Sequence, residues 1–242
     1  GQLLHEGIVH EENFFEPHPL DEKWILTTHT AEYWNKLKNL SLSKSEIRAT
    51  GFPLSKELVD REVTILQGSV QAAVFALKYG IAMNIAGGTH HAFADRGEGF
   101  CLLNDIAVTA NYLLANQLSK KVLVIDLDVH QGNGTASICA NNDKLEGVYH
   151  LFLQTQLEII LKDFSPDFII YQSGVDVLES DKLGRLSMSI DGVKNRDSMV
   201  LNLAKSLQVP IMCCMGGGYS ANVAKIVEAH TQVYRLAQDL YF

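Results

Sequence analysis

The sequence predicts a single α/β domain with a mostly parallel central sheet and helices on both faces, and three observations carry that reading. The chain has 242 residues, 47% of them hydrophobic, which is enough for one sizeable core. Short apolar runs alternate with longer amphipathic stretches, the rhythm of repeated strand–helix units. Neither an internal repeat nor a low-complexity linker interrupts that rhythm.

The elements follow in order. Residues 54–79 (LSKELVDREVTILQGSVQAAVFALKY) form a long amphipathic helix, with Gly80 placed to cap its C-terminus. IAMNIAGG, 81–88, is a strand, and LLNDIAVTANYLLANQL, 102–118, is a helix. VLVIDLD, 122–128, opens with an apolar, β-branched run that suits a strand covered on both faces. TQLEIILKDF, 155–164, is helical and leads to the strand DFIIYQSG, 167–174. A helix around 192–207 precedes the strand VPIMCCMGGG, 209–218, and SANVAKIVEAHTQVYRLAQDL closes the chain as a helix. One junction breaks the pattern. NNDKLEGVYHLFLQTQ, 141–156, shows no clear strand between the Asp126 strand and the helix at 155, which predicts a segment missing from the numbered chain near 144–151.

Composition narrows the function classes. The net charge of −8 argues against a nucleic-acid surface, which is normally basic. It is compatible with a cationic substrate such as a lysine tail or a polyamine. Cys101, Cys139, Cys213 and Cys214 show no CxxC spacing, and small core residues are the better reading than metal ligands or disulfides. No apolar stretch is long enough to span a bilayer and Gly1 opens no signal-peptide pattern. The expectation is a cytoplasmic protein, with the nucleus open for a eukaryotic source; oligomeric state is left undetermined.

The chemistry gathers where strands end. In VLVIDLDVHQGNG, Asp126, Asp128 and His130 occupy alternate positions, so a continuing pleat puts all three on one side. Two carboxylates side by side in a dry place need a compensating charge. IAMNIAGG runs into His90 and His91, FIIYQSG into Asp176, and IMCCMGGG into Tyr219. Ligands in parallel α/β sheets bind at these carboxyl ends. Asp128, His130 and Asp176 make a set of two carboxylates and one imidazole, which suits zinc with positions left open for water and substrate. A bound cation compensates the paired carboxylates. For Asp176 taken alone, a turn-forming role is an equally good reading. Asp126, nearer the core, is expected to support a neighbouring group rather than the ion.

His90 and His91 are consecutive and cannot both ligate from the same side of an extended chain. Imidazole titrates near neutral pH, so proton traffic beside an activated water suits them better. Gly87 and Gly88 allow the backbone close approach to a ligand, and Gly216, Gly217 and Gly218 free the chain to place the Tyr219 phenol over the site. A nucleotide-binding loop is disfavoured, because neither the P-loop lysine nor GxGxxG spacing is present.

With these residues assembled, the chain resembles the zinc-dependent histone deacetylase family, which includes acetylpolyamine amidohydrolases and acetoin-utilisation proteins and is distantly similar to arginase. The motifs are GGTHHA at 87–92, GEGFCLLNDIA at 97–107, IDLDVHQGNGT at 125–135, SGVD at 173–176 with DKLG at 181–184, and GGGY at 216–219. The HQGNG wording and compact length are closer to class IV and bacterial members than to class I. The resemblance implies one deacetylase-like domain over 1–242, with zinc held by Asp128, His130 and Asp176. It implies that His90 pairs with Asp126, that His91 is the main general base and acid, and that Tyr219 donates to the acyl oxygen. Phe100 would form one wall of an acyl-lysine tunnel, the Gly99 carbonyl would contact the substrate amide, and Gly217 and Gly218 would line the same substrate site. A structural potassium ion near the carbonyls of Asp126, Asp128 and His130 is also implied.

Two features depart from the class I pattern. Asn133 stands where class I members place an Asp, giving His91 a neutral partner. The family's second tunnel Phe and some potassium ligands belong to a segment after the DLDVH strand that has no counterpart here, which leaves the second wall unassigned. The implied function is removal of acetyl or longer acyl groups from lysine side chains of proteins. The alternatives are an acetylpolyamine amidohydrolase with the same chemistry, and a non-catalytic metal-binding scaffold, which has no need of Tyr219.

Overall fold

Residues 1–140, 145–149 and 153–242 are described in a computed structural model of the chain. The elements in order are α1 (Gln2–His5), α2 (Ala31–Lys38), α3 (Lys44–Thr50), α4 (Lys56–Tyr79), β1 (Ile81–Asn84), α5 (Asp105–Ala115), β2 (Val122–Asp126), α6 (Asn133–Cys139), β3 (Leu145–Tyr149), α7 (Leu153–Asp163), β4 (Phe168–Gln172), α8 (Ile190–Leu207), β5 (Ile211–Cys214) and α9 (Val223–Tyr241). The strands form one sheet in the order β1-β5-β4-β2-β3, and every pairing is parallel.

The pleat explains the two cores. Leu123, Ile125, Ile169, Tyr171, Ile211 and Cys213 pack on one face against Val200, Leu201 and Ala204 of α8 and Val233 of α9. Val122, Val124, Phe168, Ile170, Met212 and Cys214 pack on the other against Ala72, Ala73 and Ala76 of α4 and Ile106 of α5. Strands buried on both faces have no polar side to show, which is why their sequences run apolar without alternation. The four cysteines are buried and form no disulfide. The long helix α4 starts where the Ser55 side chain accepts from the Leu58 N–H and stops at Gly80, whose φ of +85° a side chain would resist.

Register decides where the site sits. The ladders end on one row, with Asn84 opposite Cys214, Cys214 opposite Gln172, Gln172 opposite Asp126 and Asp126 opposite Tyr149. The loops after β1, β2, β4 and β5 leave from this row. The strands are therefore shorter than the sequence predicts: β1 stops at Asn84 and not at residue 88, β2 at Asp126 and not at 128, β4 at Gln172 and not at 174. Pairing ends together, and the Gly- and Asp-containing tails turn. Asp128 and His130 consequently belong to a turn, not to a continuing pleat. Likewise, α5 begins at Asp105, after Asn104 accepts from the Ala107 N–H as its cap.

A strand does exist in the stretch expected to lack one. β3 lies beside β2, with Leu145–Tyr149 in register with Val122–Asp126. The break expected between Lys144 and Leu151 turns on residues outside those described on either side of β3. No helix among the described residues is long and apolar enough to cross a membrane.

Candidate active site

Asp128, His130 and Asp176 meet beyond the end of the sheet, with one ligand atom from each lying within 4.8 Å of the others. Among the described residues this is the one group of His, Cys, Asp or Glu arranged to hold a metal ion. Backbone N–H groups aim both carboxylates. Asp128 Oδ2 accepts from Gly217 N at 2.9 Å, its Oδ1 from His130 N at 3.0 Å, and Asp176 Oδ1 accepts from Val129 N at 2.9 Å. Asp128 Oδ1 and Asp176 Oδ2 then face His130 Nδ1 at 3.1 and 3.0 Å.

The electrostatics of this trio invite a cation. Burial and the charge of Asp128 push Asp176 up to about 8. Asp128 is itself buried, but its bonds to His130 and the charge of His90 outweigh burial and keep it ionised. Hydrogen bonding to Asp128, with the nearby Asp176, lifts His130 to about 9. Two packed carboxylates that hold extra positive charge on a neighbouring ring have the donor types and the charge deficit that suit a divalent ion.

Gly217 lets this arrangement form. A Cβ there would stand 2.4 Å from Asp176 Oδ2 and 2.9 Å from Asp128 Oδ2, closer than atoms pack. Gly218 sits beside Val175 rather than the carboxylates.

The histidines lie next to the trio and are oriented by side chains. His90 Nδ1 is 2.7 Å from Asp126 Oδ2, and Asp126 Oδ1 accepts from the Asp128 N–H at 3.2 Å. Burial disfavours the charged form of His90, but Asp126 outweighs it and raises the pKa. Its Nε2 is 3.8 Å from Asp128 Oδ1, so His90 supports the trio without belonging to it. His91 Nδ1 is 2.7 Å from Asn133 Oδ1. An amide oxygen can only accept, so this contact puts the ring proton on Nδ1 and leaves Nε2 free to take one. Burial and the charge of His90 lower the His91 pKa, which keeps it in the basic form at neutral pH. The two rings are 4.2 Å apart between centroids, and His91 is 6.0 Å from His130.

Tyr219 and Phe100 also lie near the trio. The Tyr219 ring centroid is 6.3 Å from His130 and 6.3 Å from Phe100. Burial, with the charges of Asp128 and Asp176, raises the phenol pKa, so the hydroxyl remains a donor. Phe100 has φ of +66°, a strained setting for a bulky residue and one that concentrates at functional sites. Its N–H donates to Thr50 O at 2.9 Å, which docks the turn on the end of α3. Phe100 is 43% exposed and presents apolar surface beside the site. Gly99 precedes it with its carbonyl accepting from Cys101 Sγ at 3.4 Å.

Three supporting residues escaped the sequence reading. Asp105 accepts from Thr89 N at 2.8 Å, Thr89 Oγ1 at 2.6 Å and Gly88 N at 3.1 Å, and so anchors the loop that carries both histidines. Asp181 accepts from Tyr219 N at 2.6 Å and from Leu183 N and Gly184 N at 2.8 Å, tying Tyr219 to the loop after Asp176. Gln172, buried at the end of β4, places its amide 3.1 Å from His90 Nδ1. The available signals were an acid opening a helix, the Asp of the DKLG turn, and a polar residue ending an apolar strand.

A parallel sheet with a buried carboxylate–imidazole set beyond its carboxyl ends is an α/β scaffold whose donor types suit a metal ion. The histone deacetylase domain model matches residues 1–150 and 144–234, and the chain belongs to that family, whose reaction class is deacetylation. An uncharacterised protein of Picosynechococcus sp. is 33% identical, with 100% of this chain and 90% of that protein covered. Histone deacetylase 2 of Arabidopsis thaliana is 28% identical over 93% of this chain and 68% of its own length. In fold, a crystallised HDAC homologue from Aquifex aeolicus superposes with a TM-score of 0.79 at 21% identity, covering 96% of this chain and 74% of that one.

Proposed function

We propose that this chain is a zinc-dependent amidohydrolase that removes acetyl or longer acyl groups from lysine side chains of proteins. The observation that carries the reading is the convergence of Asp128, His130 and Asp176 within 4.8 Å beside a histidine whose partner leaves Nε2 free. Asp128, His130 and Asp176 would hold the ion through two oxygens and one nitrogen. Zinc bound there would supply Lewis acidity for a water and for the acyl carbonyl.

The chain's own groups do the rest. His91 takes the proton from the attacking water at Nε2, and Asn133 stabilises the Nδ1–H that stays behind. His90, charge-paired with Asp126, supports the negative charge that develops. Tyr219 donates its hydroxyl to the oxyanion, where the charge is greatest in the transition state. The proton on His91 then passes to the amine as the C–N bond breaks. Phe100 lines the path of the acyl-lysine stem, and the Gly99 carbonyl and the Gly217–Gly218 backbone belong to the same substrate site. A structural potassium ion near the carbonyls of Asp126, Asp128 and His130 is part of this reading.

The domain reading extends to the whole chain. Residues 1–242 form one deacetylase-like domain that lacks a segment present in relatives near 144–151. In support, the family model matches in two stretches that meet at 144–150, and the alignment to the Picosynechococcus protein runs to 270 positions.

Turnover of a fluorogenic acetyl-lysine peptide tests the activity. A strong chelator should reduce it to background, and zinc or cobalt should restore it. Acetylputrescine should compete poorly; strong competition would transfer the reading to a polyamine substrate. Full turnover in the chelated, metal-free protein would overturn the metal assignment.

A further inference from the structure

Arg196 is a charged residue in an apolar stripe. It lies on the face of α8 that buries Val193, Val200, Leu201 and Ala204, and it is 7% exposed. A guanidinium is desolvated at such a place only at a large cost, unless its donors are filled and its charge is paired. Both conditions are met. Asp197 Oδ1 accepts from Nε at 2.9 Å and from Nη2 at 2.8 Å. The Tyr171 hydroxyl donates to the same carboxylate oxygen at 2.5 Å.

The remaining donors go to backbone. Nη1 donates to Gly174 O at 2.6 Å and to Leu127 O at 3.1 Å, and Nη2 donates to Ser173 O at 3.3 Å. Leu127 immediately precedes Asp128, while Ser173 and Gly174 lead into Asp176. Ladder pairing between β2 and β4 ends at Asp126 and Gln172, with one more backbone bond from Leu127 N to Gln172 O at 3.2 Å. Arg196 then grips both departing backbones from beneath, on the helix side, where the spacing of the two carboxylates is set. A planar fork with donors in fixed directions can hold two segments in one geometry; a lysine ammonium on a flexible stem cannot.

We infer that Arg196 is a positioning residue for the metal site, whose guanidinium sets the separation of the Asp128 and Asp176 loops and thereby the affinity for the ion. This rests on the metal reading proposed above. Two variants of the full chain test it. Arg196→Lys keeps the charge and loses the fork. Arg196→Met combined with Asp197→Leu removes both charges together, so neither is left buried and unpaired. Zinc affinity is measured by competition with a chromophoric chelator, beside the melting temperature of the metal-free protein and the kcat and KM for acetyl-lysine peptide at saturating zinc.

Both variants should bind zinc about 10- to 100-fold more weakly, the usual cost of losing support behind a ligand, while KM for the peptide stays at the parental value. Parental zinc affinity in both variants, whatever happens to the melting temperature, would reduce Arg196 to a core residue and overturn the inference alone. A parent protein that takes up no zinc would overturn this inference and the metal reading together.

Discussion

His90 and His91 form one half of the site and Asp128, His130 and Asp176 the other, and the two groups are secured by different bonds. The histidines take their orientation from side-chain acceptors, Asp126 and Asn133, each at 2.7 Å. The Asp128 and Asp176 carboxylates, the proposed ligands, take theirs from main-chain donors at Val129, His130 and Gly217. A side-chain partner tunes where a proton rests, and it can be exchanged without moving the chain. A main-chain partner fixes distance between loops, and disturbing it moves the ligands themselves. Substitutions on the histidine side should therefore alter rate and pH profile, whereas those on the ligand side should alter occupancy.

The largest effect should come from crowding the ligand side. Gly217→Ala places a methyl within 2.4 Å of Asp176 Oδ2, so the carboxylates must part. Metal and turnover should be lost together, by elemental analysis and peptide assay. A metal-replete, active alanine variant would show that the loops give way without consequence.

Next in size is the hydroxyl of Tyr219, whose ring lies 6.3 Å from that of His130. Tyr219→Phe keeps the ring and removes the proposed donor to the oxyanion, which should cost about 3 kcal/mol, or on the order of 10² to 10³ in rate. The loss should fall on kcat, with zinc content unchanged. Parental turnover would remove Tyr219 from the chemistry.

A smaller, directional change is expected from Asn133→Asp. His91 is held below the usual histidine range by burial and by His90; with His91 as the proposed base, activity should fall as pH drops through its pKa and the ring becomes protonated. A carboxylate at 133 favours the imidazolium, raises that pKa and moves the acid limb of kcat/KM to higher pH. An unmoved limb would mean that residue 133 does not set the proton on His91.

Glu62 belongs to neither half and gives the contrast a baseline. It is 2% exposed, and burial raises its carboxyl from 4.5 to about 7. Between those values the folded chain keeps a proton that the unfolded chain has released, so this contribution to stability is lost as pH rises through the window. Against Glu62→Gln, the parent should lose on the order of 1–3 kcal/mol of relative stability from pH 4.5 to 7, measured by denaturant unfolding. Turnover of the variant at neutral pH should match the parent, and identical pH profiles of stability would contradict the shifted carboxyl.

The sheet was legible because buried parallel strands leave continuous apolar runs, and the strand ends were legible because His, Asp and Tyr interrupt those runs. LEGVY escaped recognition as β3, since a Glu and a Gly in five residues hide an edge strand. The strands also stop sooner than their apolar and glycine runs do, because pairing ends on a row that only the register reveals. Arg196, Asp105 and Asp181 were invisible for another reason. Each also bonds main-chain groups of a distant segment, Leu127, Ser173 and Gly174 for Arg196, Gly88 and Thr89 for Asp105, and Tyr219 for Asp181, and spacing along the chain does not announce those bonds. Glu62 sits on a helix whose charges read as a solvated face until the packing of that helix is known.

Metal content measured beside turnover in Asp176→Ala and His91→Ala separates the two halves most directly. Asp176→Ala should contain no stoichiometric zinc and turn over no acetyl-lysine peptide. His91→Ala should retain its zinc and lose turnover by roughly 10² to 10⁴. Full zinc with full turnover in the first variant, or loss of zinc in the second, would contradict the division of the site into ligands and proton carrier.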